Sequence, residues 1–152
     1  GKCIYTKNEY NDNEFDFESN ITSYNLDMTV YKKNPRTLTE LRQFLYRKGK
    51  NGDVLFRRLE WNLIYICKCL ANNLYQSNNI SNTTSFQLFG LDIIFDNEMN
   101  PYLLEMNKGP DMIPRDSIDA KLKTQIQLDM FGKIGLLPDN KDNNTFSLIY
   151  ST

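Results

Sequence analysis

Phe86 to Asn107 reads FQLFGLDIIFDNEMNPYLLEMN. Residues 86–96 and 101–106 are mostly apolar, β-branched or aromatic, and the polar run Asn97-Glu98-Met99-Asn100 separates them ahead of Pro101. Two such runs about a short polar loop predict a β-hairpin. Folded with Asp96 opposite Pro101, the hairpin sets Asp92 directly across from Glu105. Alternate side chains of a strand share a face, so Asn107 joins Glu105, and Gly90 stands opposite Asn107 and leaves space. The other face carries Leu91, Ile93, Phe95, Tyr102, Leu104 and Met106, a core face. Opposed residues lie about 4.5–5.5 Å apart, where like charges repel. A strand pair that sets Asp against Glu therefore asks for a reason, and a cation is the simplest. Mg²⁺ takes hard oxygen ligands and is usually held by one or two carboxylates, with substrate phosphates and water completing the octahedron. Asp92, Glu105 and Asn107 supply such a partial shell. The competing reading makes Asp92 and Glu105 solvent-facing residues of an edge hairpin and Asn107 the start of a turn. Asp96, acidic and on the same face, favours that second reading a little, although acids are common at turns.

The chain has 152 residues, a length that suits one domain with a real core. Its net charge of −1 gives no global basic field for nucleic acid. No apolar run is long enough to span a bilayer, and the start carries no signal-peptide pattern. The opening Gly1-Lys2-Cys3 fits a fragment. Histidine is absent, which excludes a His general base, a His-containing triad and His metal ligands. Chemistry here must run on carboxylates, basic side chains, backbone and a bound metal. Cys3, Cys67 and Cys69 form an odd set without metal-site spacing. Cys67 and Cys69 fall in an apolar helix pattern as small core residues, and the set fits a reducing, cytosolic setting.

Along the chain, Lys2–Thr6 reads as a short strand, Lys7–Glu18 as a polar loop and Asn20–Thr29 as extended. Thr37-Leu-Thr-Glu40 fits a capping box, and the helix behind it runs to about Arg47 with Leu38, Leu41 and Leu45 on one face. Gly49–Gly52 breaks it. Asp53 then caps a long helix to about Tyr75, with Leu55, Leu59, Leu63, Ile66, Leu70 and Leu74 as its stripe. Phe56, Trp61 and Tyr65 are expected to widen that stripe into the central core helix. Gln76–Thr84 is a polar connector. After the hairpin and a loop at Lys108–Arg115, a third helix spans about Ser117–Phe131 with Ile118, Leu122, Ile126 and Met130 inward. Gly132 and Gly135 end it, Pro138 marks the exit, and Lys141–Asn144 is expected to be polar and mobile. The fold class is α+β: helices packed on one face of a mainly antiparallel sheet.

The hairpin also resembles the tubulin–tyrosine ligase-like family of the ATP-grasp superfamily. That family shows a strand of the form F-E-L-F/L-G-F-D, a turn, then P-W-L-L-E-V-N. A Gly/Ala-Pro segment follows, then a helix of the form D-x-x-x-K with a later Asp. Here the corresponding residues are Phe86-Gln-Leu-Phe-Gly-Leu-Asp92, Pro101-Tyr-Leu-Leu-Glu-Met-Asn107, Lys108-Gly109-Pro110, and Asp119, Lys123 and Asp129. Upstream, the family's H-L-T-N segment is matched more weakly by Asn20-Ile21-Thr22-Ser23, where Ser23 keeps a hydroxyl but loses an amide. The arginine that the family places on the preceding strand has no counterpart near Cys3–Tyr5.

The resemblance covers most of residues 1–137, the C-terminal part of a ligase domain, and leaves 138–152 as a tail. It implies the C-terminal lobe of an ATP-grasp fold and ATP-dependent ligation of an amino acid to a protein carboxylate through an acyl phosphate. Tyrosination, glutamylation and glycylation of tubulin are the family's reactions. It implies ATP and Mg²⁺ as cofactors, metal ligation by Asp92, Glu105 and Asn107, and nucleotide- or substrate-side roles for Thr22 and Ser23. Lys108, next after the E-x-N, approaches phosphate or substrate as a catalytic group; Arg115 on the same loop is the weaker candidate. The implied partners are a free amino acid and an acidic protein such as a tubulin tail, with no nucleic acid and no membrane. The implied setting is cytoplasmic and at microtubules. The basic stretch Lys32 to Arg58 either receives that acidic tail or is the solvated face of two helices. Two rival readings remain: another ATP-grasp carboxylate–amine ligase, or a non-catalytic module that keeps the lobe without the reaction. Because the family's adenine hinge and phosphate-binding lysines lie upstream of this region, the 152 residues alone are expected not to ligate and to leave an apolar patch exposed.

Overall fold

A computed structural model describes residues 1–22, 28–74, 86–138 and 143–151. It comprises two compact units, Gly1–Val54 and Leu55–Thr152. Among the described residues the architecture is α+β: four α-helices, one 3-10 helix and a two-stranded antiparallel sheet.

In the first unit the N-terminus lies along the segment before helix α2 (Leu38–Arg47). The Cys3 amide donates to the Arg36 carbonyl at 2.8 Å and the Leu38 amide to the Gly1 carbonyl at 3.2 Å. The strand expected at Lys2–Thr6 reduces to a single antiparallel bridge, Lys2 to Thr37. The reason is local: Thr37 is already the N-cap of α2, so its side of the ladder ends after one pair. Of the extended segment expected at Asn20–Thr29, positions 23–27 lie outside the described residues and Ile21 is extended. Asn20 is the last residue of a four-residue helix, α1 (Phe17–Asn20), and Met28 and Thr29 belong to a 3-10 turn, Met28–Lys32.

The capping box is as expected. The Glu40 amide donates to Thr37 Oγ1 at 3.2 Å, and the Glu40 carboxylate accepts from the Thr37 and Arg36 amides. Gly49, at φ +71°, ends α2. The Lys50 amide reaches back to the Leu45 carbonyl at 2.9 Å and the Gly49 amide to Tyr46 at 3.0 Å, the paired closure that needs a left-handed residue at this position. Helix α3 (Gly52–Leu74) begins in the first unit and belongs for the rest of its length to the second. Its cap is Asn51, whose Oδ1 accepts from the Asp53 amide at 3.0 Å. Asp53, expected as the cap, instead accepts the Tyr46 hydroxyl and lies 3.7 Å from Arg42 Nε.

Leu55 is buried, and Leu59, Leu63, Ile66 and Leu70 are half-buried. Trp61 and Tyr65 do not widen this stripe: they are 73% and 68% exposed. At about 100° per residue they stand about 160° and 120° from the stripe's centre, so tertiary packing on the leucine face leaves them outside. Among the described residues the buried apolar side chains are Pro35, Leu45 and Leu55, far from the core expected for this length. A two-stranded sheet has too little surface to cover several helices.

Strands β1 (Gly90–Phe95) and β2 (Pro101–Asn107) pair antiparallel. The site half of the register is as expected: Gly90 opposite Asn107, Leu91 opposite Met106, Asp92 opposite Glu105. The turn half is not. Phe95, rather than Asp96, faces Pro101, and the register slips by one between Asp92 and Ile93. The Asp96 amide donates to the Asn100 carbonyl at 3.1 Å and the Met99 amide to the Asp96 carbonyl at 3.0 Å. These bonds close a three-residue loop, 97–99, where four were expected. Leu104 takes up the extra residue as a bulge. The bulge moves Tyr102 and Leu104 off the core face, and they are 53% and 65% exposed.

Helix α4 (Ser117–Lys133) is capped by Asp116, which accepts from the Ile118 and Asp119 amides at 2.9 and 3.0 Å. Its buried residues are Asp119, Asp129 and Gly132, while Ile118 is 40% exposed. Leu122, Ile126 and Met130 are half-buried as expected, and at about 100° per residue the buried Asp119 and Asp129 fall within the same arc. Asp129 receives the Thr145 amide at 2.9 Å, the Thr145 hydroxyl, and Gln125 Nε2 at 2.8 Å. The Thr145 hydroxyl, then its amide, holds the Asp129 carboxyl below the usual carboxylate range. The described part of the C-terminal segment is thereby tied to α4.

Met99 sits at φ 64° without being glycine, a left-handed conformation that costs about 1 kcal/mol in an ordinary residue. Met99→Gly should raise the free energy of unfolding by about 0.5–1 kcal/mol, read as a higher urea midpoint at unchanged slope.

Candidate functional site

The hairpin's open face is built by the register and the bulge together. On β1 it carries Gly90, Asp92 and Ile94; on β2 their partners are Asn107, Glu105 and Tyr102. The bulge at Leu104 immediately precedes Glu105. Bulges bend a strand and re-aim the next side chain, and here one brings Glu105 onto the face of Asp92 although the turn alone sets the other parity. Both carboxylates are exposed. Asn107 Nδ2 donates to Glu105 Oε1 at 2.7 Å, which fixes the amide and leaves its Oδ1 as a further acceptor. Among the described residues Asp92 accepts no hydrogen bond and forms no ion pair. Ile94 and Tyr102, each 53% exposed, place apolar surface beside the carboxylates.

Asp96 is not part of this oxygen set. Its Oδ1 accepts the Glu98 and Asn100 amides at 2.9 and 2.8 Å, and its Oδ2 accepts Asn100 Nδ2 at 2.8 Å and the Tyr102 hydroxyl at 3.2 Å. The Asn100 amide foremost holds its carboxyl below the usual range. Asp96 shapes the turn and explains the acid there, which removes the main support for reading every acid on this face as incidental.

The space expected over Gly90 is taken. A Cβ built there lies 2.9 Å from Pro110 Cβ, so the loop after β2 folds across the Gly90 end of the face. That loop is anchored twice. Gln87 Nε2 donates to the Lys108 carbonyl. Behind it, Asp119 Oδ2 accepts the Arg115 amide at 3.1 Å and lies 3.0 Å from Lys123 Nζ, which also donates to the Ile113 carbonyl at 2.7 Å. The four-residue step from Asp119 to Lys123 puts both on one helix face, with side chains 5% and 17% exposed. Sequence reading picked out this pair as a motif but not its work, which is to clamp the 108–116 loop to α4. Arg115, the weaker candidate for substrate contact, pairs with Asp111 at 3.0 Å. The Lys108 ammonium is exposed and makes no ion pair among the described residues, next in sequence to the Glu105–Asn107 set.

The structure therefore brings Asp92, Glu105 and Asn107 onto one face with Lys108 adjoining. Thr22, exposed, belongs to the first unit and not to the hairpin, and Ser23 lies outside the described residues. No cluster of three or more His, Cys, Asp or Glu suited to a metal occurs among the described residues, so a metal here would rest on two carboxylates and an amide oxygen. That donor set fits Mg²⁺, which commonly keeps several waters and phosphate oxygens in its shell. No helix among the described residues is long and apolar enough to cross a membrane.

The model of the tubulin-tyrosine ligase family matches residues 3–144. A tubulin polyglutamylase of Caenorhabditis elegans is 28% identical over 97 residues, 62% of this chain and 13% of its own length. A tubulin monoglycylase of Homo sapiens is 35% identical over 68 residues, 43% of this chain and 9% of its own. A tubulin monoglutamylase of Mus musculus is 25% identical over 124 residues, 78% of this chain and 10% of its own. The chain thus spans well under a fifth of the length of these relatives. No solved structure matches it.

The clamp behind the loop gives a stability test. Asp119→Ala leaves the Lys123 ammonium largely buried without its partner and should cost about 3 kcal/mol. Asp119→Asn keeps an acceptor for the Arg115 amide and should cost about half as much. Urea unfolding reads both; equal losses would mean that charge plays no part in the clamp.

Proposed function

We infer the chemistry from one premise: this chain belongs to the tubulin-tyrosine ligase family. From that premise and the hairpin geometry, we propose that the chain supplies the Mg²⁺–ATP ligands of an ATP-dependent carboxylate–amine ligase. The fold would then be the C-terminal lobe of an ATP-grasp domain. The reaction joins a free amino acid to a protein carboxylate, with tubulin the acceptor that the relatives' names point to. An oxygen of the acceptor carboxylate attacks the γ-phosphorus of ATP, ADP leaves, and an acyl phosphate forms. The amine then attacks the acyl carbon, phosphate leaves, the amine gives up a proton, and an amide remains. No covalent enzyme nucleophile is needed, in keeping with a chain that has no histidine.

The observation that carries this reading is Asp92 opposite Glu105 with Asn107 fixed beside it. When bound, Mg²⁺ supplies the positive charge that offsets negative charge on the transferring phosphoryl group. The chain's own task is positioning. Asp92 and Glu105 hold the two sides of the shell, Asn107 adds a neutral oxygen, and the clamped 108–116 loop carries Lys108 as a cation toward phosphate or substrate. Activity in the cytoplasm, at microtubules, follows from the same reading.

Isothermal titration of Mg²⁺–ATP tests it. Glu105→Gln keeps size and the Asn107 contact but removes a charge, and it should weaken binding at least about tenfold. Lys108→Ala should weaken it by less, about threefold. Equal affinity of wild type and Glu105→Gln would make the carboxylate pair structural and overturn the reading.

A further inference from the structure

The ladder between β1 and β2 stops at Gly90 and Asn107. Continued by one pair it would set Phe89 opposite Lys108, and by three pairs Gln87 opposite Pro110. The chain does not take that path. Pro110 lies over Gly90 instead, where a Cβ built on the glycine falls 2.9 Å from Pro110 Cβ. Three residues of extended chain span about 10 Å, so a proline drawn back to Gly90 requires the backbone to turn at Lys108 and Gly109.

This turn decides where Lys108 can reach. Side chains alternate faces along a strand, so on a straight β2 Lys108 would stand on the face opposite Glu105 and Asn107. It escapes that alternation because the strand ends just before it. The same turn leaves the Lys108 carbonyl without a ladder partner, and Gln87 supplies one. The two hydrogens of a carboxamide can serve two acceptors. Gln87 Nε2 donates to the Leu88 carbonyl at 2.9 Å and also to the Lys108 carbonyl. One bond fixes the side chain to its own backbone segment; the other crosses to the loop. Asp119 and Lys123 hold the far part of that loop, through the Arg115 amide and the Ile113 carbonyl. Gln87 holds its first residue.

We propose that Gln87 is a positioning residue: by holding the Lys108 carbonyl it directs the Lys108 ammonium to the face of Asp92 and Glu105. The inference rests on the ligase reading for what Lys108 meets there, which is phosphate, and on the hairpin alone for how Lys108 is held. The requirement at position 87 is a donor. An ionised glutamate has acceptors only and would turn a carboxylate oxygen toward the Lys108 carbonyl. A methionine matches glutamine in length and has no donor either.

Trypsin cuts after lysine, so the Lys108–Gly109 bond reports the tether with neither metal nor nucleotide present. Cutting of a locally held segment follows the population of its open form. In Gln87→Met and Gln87→Glu that bond should be cut about threefold faster than in wild type, with cutting after Lys133 unchanged as the internal reference. Gln87 is exposed, so thermal melts of both variants should match wild type. Titration of Mg²⁺–ATP then closes a double-mutant cycle. Gln87→Met should weaken binding about twofold, no more than Lys108→Ala does, and should add nothing in the Lys108→Ala background. The proposal is overturned if cutting at Lys108 is unchanged in both variants, or if Gln87→Met weakens Mg²⁺–ATP equally with and without Lys108. It is overturned also if Lys108→Ala leaves Mg²⁺–ATP affinity unchanged. A lowered melt with faster cutting at every site would make Gln87 a support of the whole fold and overturns it too. Each of these outcomes leaves the Asp92–Glu105 reading standing, because that reading is decided by Glu105→Gln, and failure of Glu105→Gln to weaken Mg²⁺–ATP leaves the metal-free cutting result unchanged.

Discussion

Asp92 and Glu105 face one another across two strands, and the rest of the second unit is arranged around that opposition. Opposed like charges cost a strand pair stability. Here the cost is kept by construction. The turn sets one register, the bulge at Leu104 restores the other, and without the bulge Glu105 falls on the opposite face from Asp92. A strand that merely needed an acid toward solvent has no use for this correction. The bulge is thus physical evidence that the placement of Glu105 matters, independent of any relative.

The surroundings hold the face open on one side and bounded on the other. Pro110 closes over Gly90, where any side chain would collide with it. The loop that carries Pro110 and Lys108 is held from behind by Asp119 and Lys123, a pair one turn apart on α4 whose buried aspartate also accepts the Arg115 amide. A carboxylate that takes both a backbone amide and an ammonium in a buried place is costly to break, so the loop's position is well determined. The chain's thin core makes such polar anchors matter more: with Pro35, Leu45 and Leu55 the buried apolar residues among those described, Asp96, Asp119 and Asp129 each fix a segment that apolar burial leaves unfixed.

How much of this was legible in the sequence varies with the range of the interaction. The capping box at Thr37 and Glu40 and the glycine stop at Gly49 rest on local rules of spacing, and they are found; the pairing of Asp92 with Glu105 is found too, but through the bulge at Leu104 rather than through the turn from which it was expected. The loop length at 97–99 was not legible, because Asp96 chooses between closures through its own side-chain hydrogen bonds. On α4 the apolar periodicity finds Leu122, Ile126 and Met130 but not the two aspartates buried on the same face, which are held there by side-chain and backbone partners, Thr145 among them. Trp61 and Tyr65 were assigned inward for their size. Their angle on the helix already placed them opposite the leucine stripe, and the angle is the better guide. The role of Asp119 and Lys123 required the loop's coordinates, since nothing in a four-residue spacing says which backbone the pair will hold.

The claim that Asp92 and Glu105 are held together against their own repulsion is open to one direct measurement. Asp92→Asn removes that repulsion without changing size. In buffer with excess chelator, its urea unfolding should show a stability higher than wild type by about 0.5 kcal/mol. A variant less stable than wild type under those conditions would mean that the Asp92 charge is stabilised by the fold itself, and would contradict the account.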